Sequence, residues 1–135
     1  MPFVVDCSVT MAWVFPDEAT EATNALRESL VNDLVVVPEL WPIEVGNVLV
    51  VATRRGRIRA QDWKQIHGDL TSLPIEIDPE TRERVWDAIM PLAFKHNLSV
   101  YDATYLELAI RLRLPLATLD KQLRAACRPA KVEVL

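Results

Sequence analysis

The chain has 135 residues, half of them hydrophobic, and a formal net charge of −4. That length makes one domain the default and is enough to bury a core, while the negative balance argues against a general nucleic-acid coat protein but not against an enzyme with a local basic face. Cys7 and Cys127 form no C-x-x-C pair, so neither a disulfide framework nor a zinc site is expected, and a reducing compartment fits best.

Met1-Pro2 runs straight into the apolar stretch Phe3-Val4-Val5, so no secretory leader is expected and the cytoplasm is the expected location. The first strand is predicted over Phe3–Asp6, with a helix beginning at Asp6. An amphipathic helix follows over Glu18–Leu30, then a strand over Leu34–Val37. The region from Leu34 to Ala52 is the most apolar in the chain, but Pro38, Glu39, Pro42 and Glu44 interrupt it, which makes it a poor membrane span. It reads instead as a strand followed by a helix over Trp41–Arg55, with Pro42 in the tolerant first turn. There Val45, Val48, Leu49 and Ala52 recur at i, i+3, i+4, i+7 and form a core stripe. Glu44 and Asn47 lie beside that stripe, three apart, and can face one point.

After the basic stretch Arg54-Arg55-Gly56-Arg57-Ile58-Arg59, which also reads as a solvated helix end, a helix is expected over Gln61–Leu73 and a strand over Ile75–Ile77. The helical pattern Glu80–His96 contains Pro91, which splits or kinks it. Ser99-Val100-Tyr101-Asp102 carries a capping signature for a helix running to about Arg113. A strand over Leu116–Leu119, a short helix over Lys121–Ala126 and a last strand over Val132–Leu135 complete the order. His67 and His96 are too far apart to be a helical metal pair and read as ordinary residues. Strands alternating with helices imply an α/β domain, a single unit over 1–135, with a mainly parallel sheet of roughly five strands.

Four acids sit where folding does not require one. Asp6 ends the first apolar run, Glu44 lies inside Trp41–Leu49, Asp102 precedes Ala103-Thr104-Tyr105-Leu106, and Asp120 ends Leu116–Leu119. The first three have no Lys or Arg within four residues, and Asp120 has only Lys121 and Arg124. An unpaired charge in apolar surroundings costs roughly several kcal/mol, a cost kept mainly where a metal or a reaction needs it. Each acid taken alone has a structural alternative. Asp6 and Asp120 can be helix N-caps, Asp102 can complete a capping box, and Glu44 can pair with a distant arginine. Taken together they end strands or begin helices, and in open parallel sheets such positions share the carboxyl edge where ligands bind. Two charges ~5 Å apart repel by roughly 3 kcal/mol at an effective dielectric of ~20. Convergence therefore calls for a cation, and an all-carboxylate set suits Mg²⁺ or Mn²⁺ better than zinc. Metal-assisted phosphodiester hydrolysis follows as the reaction class.

Asp6-Cys7-Ser8 after a first strand resembles the opening of PIN domains. Glu44-Val45-Gly46-Asn47-Val48-Leu49 resembles their second acidic motif, Tyr101-Asp102-Ala103-Thr104-Tyr105-Leu106-Glu107-Leu108-Ala109 the third, and Ala117-Thr118-Leu119-Asp120-Lys121-Gln122-Leu123 the fourth. Order, spacing and length are similar to VapC-type toxins of toxin–antitoxin pairs. The resemblance implies a three-layer α/β/α sandwich and Mg²⁺- or Mn²⁺-dependent endoribonuclease activity on structured RNA such as transfer or ribosomal RNA. It also implies a cognate antitoxin that blocks the site, and a homodimer. By matching motif, Asp6, Glu44, Asp102 and Asp120 are the implied metal-binding catalytic acids, with Ser8, Thr118 and Asn47 in support. Cys7 is assigned no chemistry. The Arg54–Arg59 group is a candidate contact for the RNA backbone. Trp13, Phe15, Trp41 and the Val50-Val51 side of its helix are expected in part to form a partner or dimer surface.

Three rival readings are weaker. A haloacid-dehalogenase-like enzyme wants Asp-x-Asp at the first strand, where Ser8 stands instead. A receiver domain wants an adjacent acidic pair there, and Asp6 is single. A PIN-fold binding module without nuclease activity does not account for all four acids.

Overall fold

A computed structural model describes residues 1–135. Four short strands form its sheet: β1 (Phe3–Val5), β2 (Val35–Pro38), β3 (Ile75–Asp78) and β4 (Leu116–Ala117). All neighbours are parallel, in the order β3-β2-β1-β4, and Val4 lies between Val36 and Leu116. Every residue of β1 and β2 is buried, so both faces of the sheet centre are covered by helices, as parallel sheets require. The result is the expected helix–sheet–helix sandwich.

The fifth strand expected over Val132–Leu135 is reduced to one parallel bridge, Leu116 with Val134. Two local commitments limit it. Lys131 has a left-handed backbone (φ 60°), and the amide of Val132 is taken by the carbonyl of Cys127 at the end of the last helix. What remains pads the outer edge of β4, through Leu116 N–H to Glu133 O and Leu135 N–H to Leu116 O.

The helices follow local rules. Helix α1 (Cys7–Val14) starts at Asp6, whose carboxylate accepts the Val9 amide. It is apolar nearly all round, with Val9 to Trp13 all buried, so it has no helical stripe and tertiary burial stabilises it. Helix α2 (Glu21–Ser29) starts three residues later than predicted. Pro16–Glu18 forms a 3₁₀ turn, and Thr20 and Thr23 build a reciprocal capping box at the true start. Helix α3 (Leu40–Arg54) and α4 (Trp63–Thr71, entered through a 3₁₀ turn at Ala60–Asp62) lie close to the predicted spans.

The pattern Glu80–His96 is indeed divided. It becomes α5 (Thr81–Arg84), a π-helical turn over Val85–Ile89, and α6 (Met90–His96). Pro91 has no amide to give to Asp87, and its ring crowds that carbonyl. The ladder slips by one residue, and the Met90 amide bonds Val85 O instead. Helices α7 (Val100–Leu112) and α8 (Lys121–Cys127) complete the chain.

Trp13, Phe15 and Trp41, expected in part to form a partner surface, are core residues instead. Their polar ends are satisfied within the chain: Trp13 Nε1 donates to Thr23 O and Trp41 Nε1 to Thr10 Oγ1. The exposed apolar side chains are others, notably Ile43, Trp86, Phe94 and Tyr101.

A buried ion cluster ties the edge of the sheet to α7. Arg111 donates to Asp78 at the end of β3 (2.8 and 3.1 Å), to Glu107 one turn back (2.9 Å) and to Glu80 (3.2 Å). Asp78 and Glu107 are buried, and Arg111 is nearly so. The Arg111 hydrogen bonds hold the Asp78 carboxyl below its usual range against the opposing effect of burial. Replacing Arg111 with Met leaves two buried carboxylates unpaired and is expected to cost about 3–5 kcal/mol in urea unfolding at neutral pH. Because the folded-state pKa of Asp78 is depressed, the stability it contributes is present above the unfolded value of 3.8 and is lost as pH falls through the folded one. The gap between variant and wild type should therefore narrow under acid.

Candidate active site

The strand order creates one place where the chain reverses direction across the sheet. From β1 the chain moves outward to β2 and β3, then returns to the other side of β1 as β4. Asp6 and Asp120 follow these two adjacent strands, so both sit at the switch point where a crevice opens at the carboxyl edge.

Asp6 is buried and held from three directions. Oδ1 accepts from Ser8 Oγ (2.6 Å) and the Val9 amide (3.1 Å), and Oδ2 accepts from Thr118 Oγ1 (2.5 Å). The two hydroxyls reach further. Ser8 Oγ accepts the Leu119 amide (2.9 Å) and Thr118 Oγ1 accepts the Asp120 amide (3.0 Å). Ser8 and Thr118 thus lace the β1–α1 turn to the β4–α8 turn through one carboxylate. Asp120 caps α8 through the Leu123 amide (2.9 Å) and keeps Oδ2 free of that bond. The capping alternative for Asp6 and Asp120 is therefore true without being complete, since each cap also places its carboxylate at the shared edge.

Asp102 and Glu44 come from opposite helices. Ser99 caps α7 by accepting the Asp102 amide (3.0 Å), but the reciprocal bond from the Asp102 side chain to the Ser99 amide is not made. The capping-box alternative fails, and the Asp102 carboxylate is left for the site. Glu44, in the second turn of α3, has no arginine partner. Its Oε1 accepts from the Tyr105 hydroxyl at 2.5 Å. Sequence reasoning did not single out Tyr105, although its position three residues after Asp102 on one helix placed it on the same face. It also passed over Glu39, directly after β2, whose Oε1 is buried without a hydrogen-bond partner.

Three of the four carboxylates are raised by burial and by neighbouring acids. Burial comes first in raising the Asp102 carboxyl to about 6, followed by the charges of Asp120, Asp6 and Glu44. Glu44 is raised by burial and by Asp6, against the lowering effect of the Tyr105 hydrogen bond. Asp6 is raised by burial and by Asp120, against its hydrogen bonds from Ser8, Thr118 and Val9. No ion pair in the chain involves any of the four. The Cys7 thiol beside them is pushed up to about 12 by burial, Glu44 and Asp6, so it stays protonated and supplies no thiolate.

The donor set fits a hard divalent cation, because every available atom is a carboxylate or hydroxyl oxygen. The set is open, however: as the side chains stand, no three acids are spaced to close a shell around one ion. Asn47 is exposed on α3 one turn beyond Glu44 and hence close to the acids without touching them in a hydrogen bond. In the basic stretch, Arg57 is committed to Asp17 and Glu18 and stacks on Phe15 (4.0 Å), and Arg59 pairs with Asp62. Arg54 and Arg55 remain exposed without an acidic partner.

A stability test follows from the charges. With the Asp102 pKa raised from 3.8 to about 6, the folded metal-free protein binds a proton that the unfolded chain has released. Stability falls as pH rises across that window. Asp102→Asn should remove this contribution and raise metal-free stability at pH 7 by about 1 kcal/mol after allowing for solvent screening. Urea unfolding between pH 4 and 7 checks it, and a marked loss of stability instead would restore a structural role for the carboxylate.

The PIN domain family model matches residues 3–129. Ribonuclease VapC3 of Pyrobaculum aerophilum is 32% identical over 124 residues, covering 91% of this chain and 92% of the relative. Ribonuclease VapC1 of Mycobacterium tuberculosis is 33% identical over 129 residues, 90% of each chain. Among solved structures, PAE2754 from Pyrobaculum aerophilum superposes with a TM-score of 0.70 at 24% identity, covering 99% of this chain and 83% of that one. VapBC2 from Rickettsia felis, bound to a DNA fragment from its promoter, superposes with a TM-score of 0.67 at 11% identity, covering 100% and 98%. At those identities the two structures speak for the fold. With a family model spanning nearly the whole chain and VapC ribonucleases similar across nine-tenths of it, this chain belongs to the PIN domain family.

Proposed function

We propose that this chain is a divalent-metal-dependent endoribonuclease, the toxin of a VapBC-type pair, acting in the cytoplasm as a single nuclease domain. The observation that carries the reading is a group of four carboxylates at the switch point of a PIN-fold sheet, unpaired with any cation of the chain, of which Asp6, Glu44 and Asp102 are raised by burial and by neighbouring acids. Asp6, Glu44, Asp102 and Asp120 are the proposed metal-holding and catalytic acids. Mg²⁺ or Mn²⁺ is the proposed ion, on the strength of the all-oxygen donor set. A bound ion supplies positive charge against the scissile phosphate and lowers the pKa of the attacking water.

The chain's own residues do the rest. Ser8 and Thr118 fix both oxygens of Asp6, and Tyr105 fixes Glu44. Asp102, whose oxygens are not held by a capping bond, is the proposed group to orient the attacking water and take its proton. Arg54 and Arg55 lie at the far end of α3, about 16 Å along the helix from Glu44 at 1.5 Å per residue. They are the proposed contacts for the RNA backbone, and structured transfer or ribosomal RNA is the proposed substrate. A cognate antitoxin is the proposed regulator and a second copy of the chain a proposed companion. The exposed Trp86, Met90 and Phe94, four residues apart along the π turn and α6, offer apolar surface for such assembly.

Purified protein incubated with RNA should cleave it with Mn²⁺ or Mg²⁺, stop in excess chelator, and leave 5′-phosphate and 3′-hydroxyl ends. Products ending in 2′,3′-cyclic phosphate would falsify the metal route. Glu44→Gln and Asp102→Asn should each lower cleavage about a hundredfold or more with the fold intact. Tyr105→Phe removes an orienting hydrogen bond and should cost about tenfold. That bond lowers the Glu44 pKa, so its loss should also move the acidic limb of the pH–rate profile to higher pH.

A further inference from the structure

A cleft of about 610 Å³ opens beside the acids, and Ser8 and Glu44 belong to its wall. Anything seated in it therefore touches the site. The rest of the wall is mainly apolar, and no Lys or Arg contributes to it, whereas Glu18 and Glu44 do. A phosphate would be repelled there. A neutral, flat group with polar atoms only at its edge fits, and in an RNA that group is a base.

The side chains agree. Tyr101 lines the cleft as a residue 61% exposed, and Ile43 lines it at 72% exposed. Each stands immediately before one of the acids, Asp102 and Glu44 respectively. Packing does not explain an exposed tyrosine and an exposed isoleucine on the walls of one cleft, and both are the kind of surface on which a base stacks. Asn47, one turn beyond Ile43 on α3, adds an exposed amide to the same wall. An amide can donate and accept at a base edge. A base inside a duplex has no free face, so only an unpaired nucleotide can enter.

We infer that this cleft holds an unpaired base next to the cleaved phosphodiester, stacked on Tyr101 and met at its edge by Asn47. The inference rests on the ribonuclease reading and adds to it the residues, Tyr101 and Asn47, that would hold the base at the cut.

The test uses an RNA hairpin with 2-aminopurine in its loop. Binding is measured in the Asp120→Asn background, which blocks cleavage while Asn still caps α8. Stacking on Tyr101 should quench the fluorophore on binding, and Tyr101→Phe should keep the quench. Tyr101→Leu should abolish it and weaken Kd roughly 5- to 100-fold, the span expected for one lost base–aromatic stack. With Asp120 restored, Tyr101→Leu should lower cleavage of loops, Asn47→Ala should change the base preferred at the cut, and a loop-free duplex should be spared by all forms. If Tyr101→Leu binds and quenches like the parent while wild type still cleaves RNA, the inference is overturned and the ribonuclease reading stands. In that case the cleft is apolar surface for a protein. If wild type cleaves no RNA with any divalent ion, the ribonuclease reading fails. The absence of quenching in the binding arm then overturns the inference as well.

Discussion

The adjacency of β1 and β4, locked by Thr118 donating to Asp6, is the constraint on which the rest depends. Two strands more than a hundred residues apart in sequence are joined side by side, and one hydroxyl and one carboxylate bridge their ends. Ser8 repeats the link from the other direction by accepting the Leu119 amide. Without that lacing, Asp6 and Asp120 would be two unrelated helix caps. With it, both caps lie at one crevice, and the second turn of α3 and the first turn of α7 bring Glu44 and Asp102 to the same edge.

The carboxyl edge also separates acids that support structure from the acids proposed to serve chemistry. Asp78 ends β3 much as Asp6 follows β1, and it is equally well buried. It differs in its company. Arg111 neutralises it and depresses its pKa, whereas burial and like charge raise Asp6, Glu44 and Asp102. The pinned acid holds the outer strand to α7. The raised acids keep an unfavourable charge that a divalent cation would relieve, and such perturbed carboxylates are candidates for a functional site. Stability at one end of the sheet offsets strain at its centre.

Apolar surface is divided in the same way. Three of the four tryptophans invite comparison. Trp13 and Trp41 are buried with their indole nitrogens bonded inside the chain, while Trp86 stands on the π turn with most of its surface in solvent. The exposed aromatic residues thus lie on the π turn, α6 and the cleft wall rather than on α1. Pro91 contributes by forcing the ladder slip that precedes α6. Tyr101 and Ile43 put further exposed apolar area next to Asp102 and Glu44.

Much of this was legible in the residues. The alternation of apolar runs with amphipathic stretches implied a parallel α/β sheet, Pro91 announced a break, and Ser99 announced the start of α7. The four acids stood out because they lacked cations nearby in the chain. Local signals failed where the deciding contact was distant or the local pattern was ambiguous. Helix α1 has no polar face to give it a period. Thr20 rather than Glu18 starts α2 because only a capping side chain can satisfy the first amides. The last strand shrinks to one bridge because Val132 already caps α8. Glu44 has no cation near it in the chain, and its true partner, Tyr105, lies 61 positions away. The sequence by itself determined the fold class and which acids were out of place, since both follow from periodicity and nearest-neighbour charge. Only the tertiary structure decided that β4 returns beside β1, that Asp78 belongs to Arg111, and that Tyr101 opens onto a cleft. Those are contacts between residues far apart in the chain, and no local pattern encodes their distance.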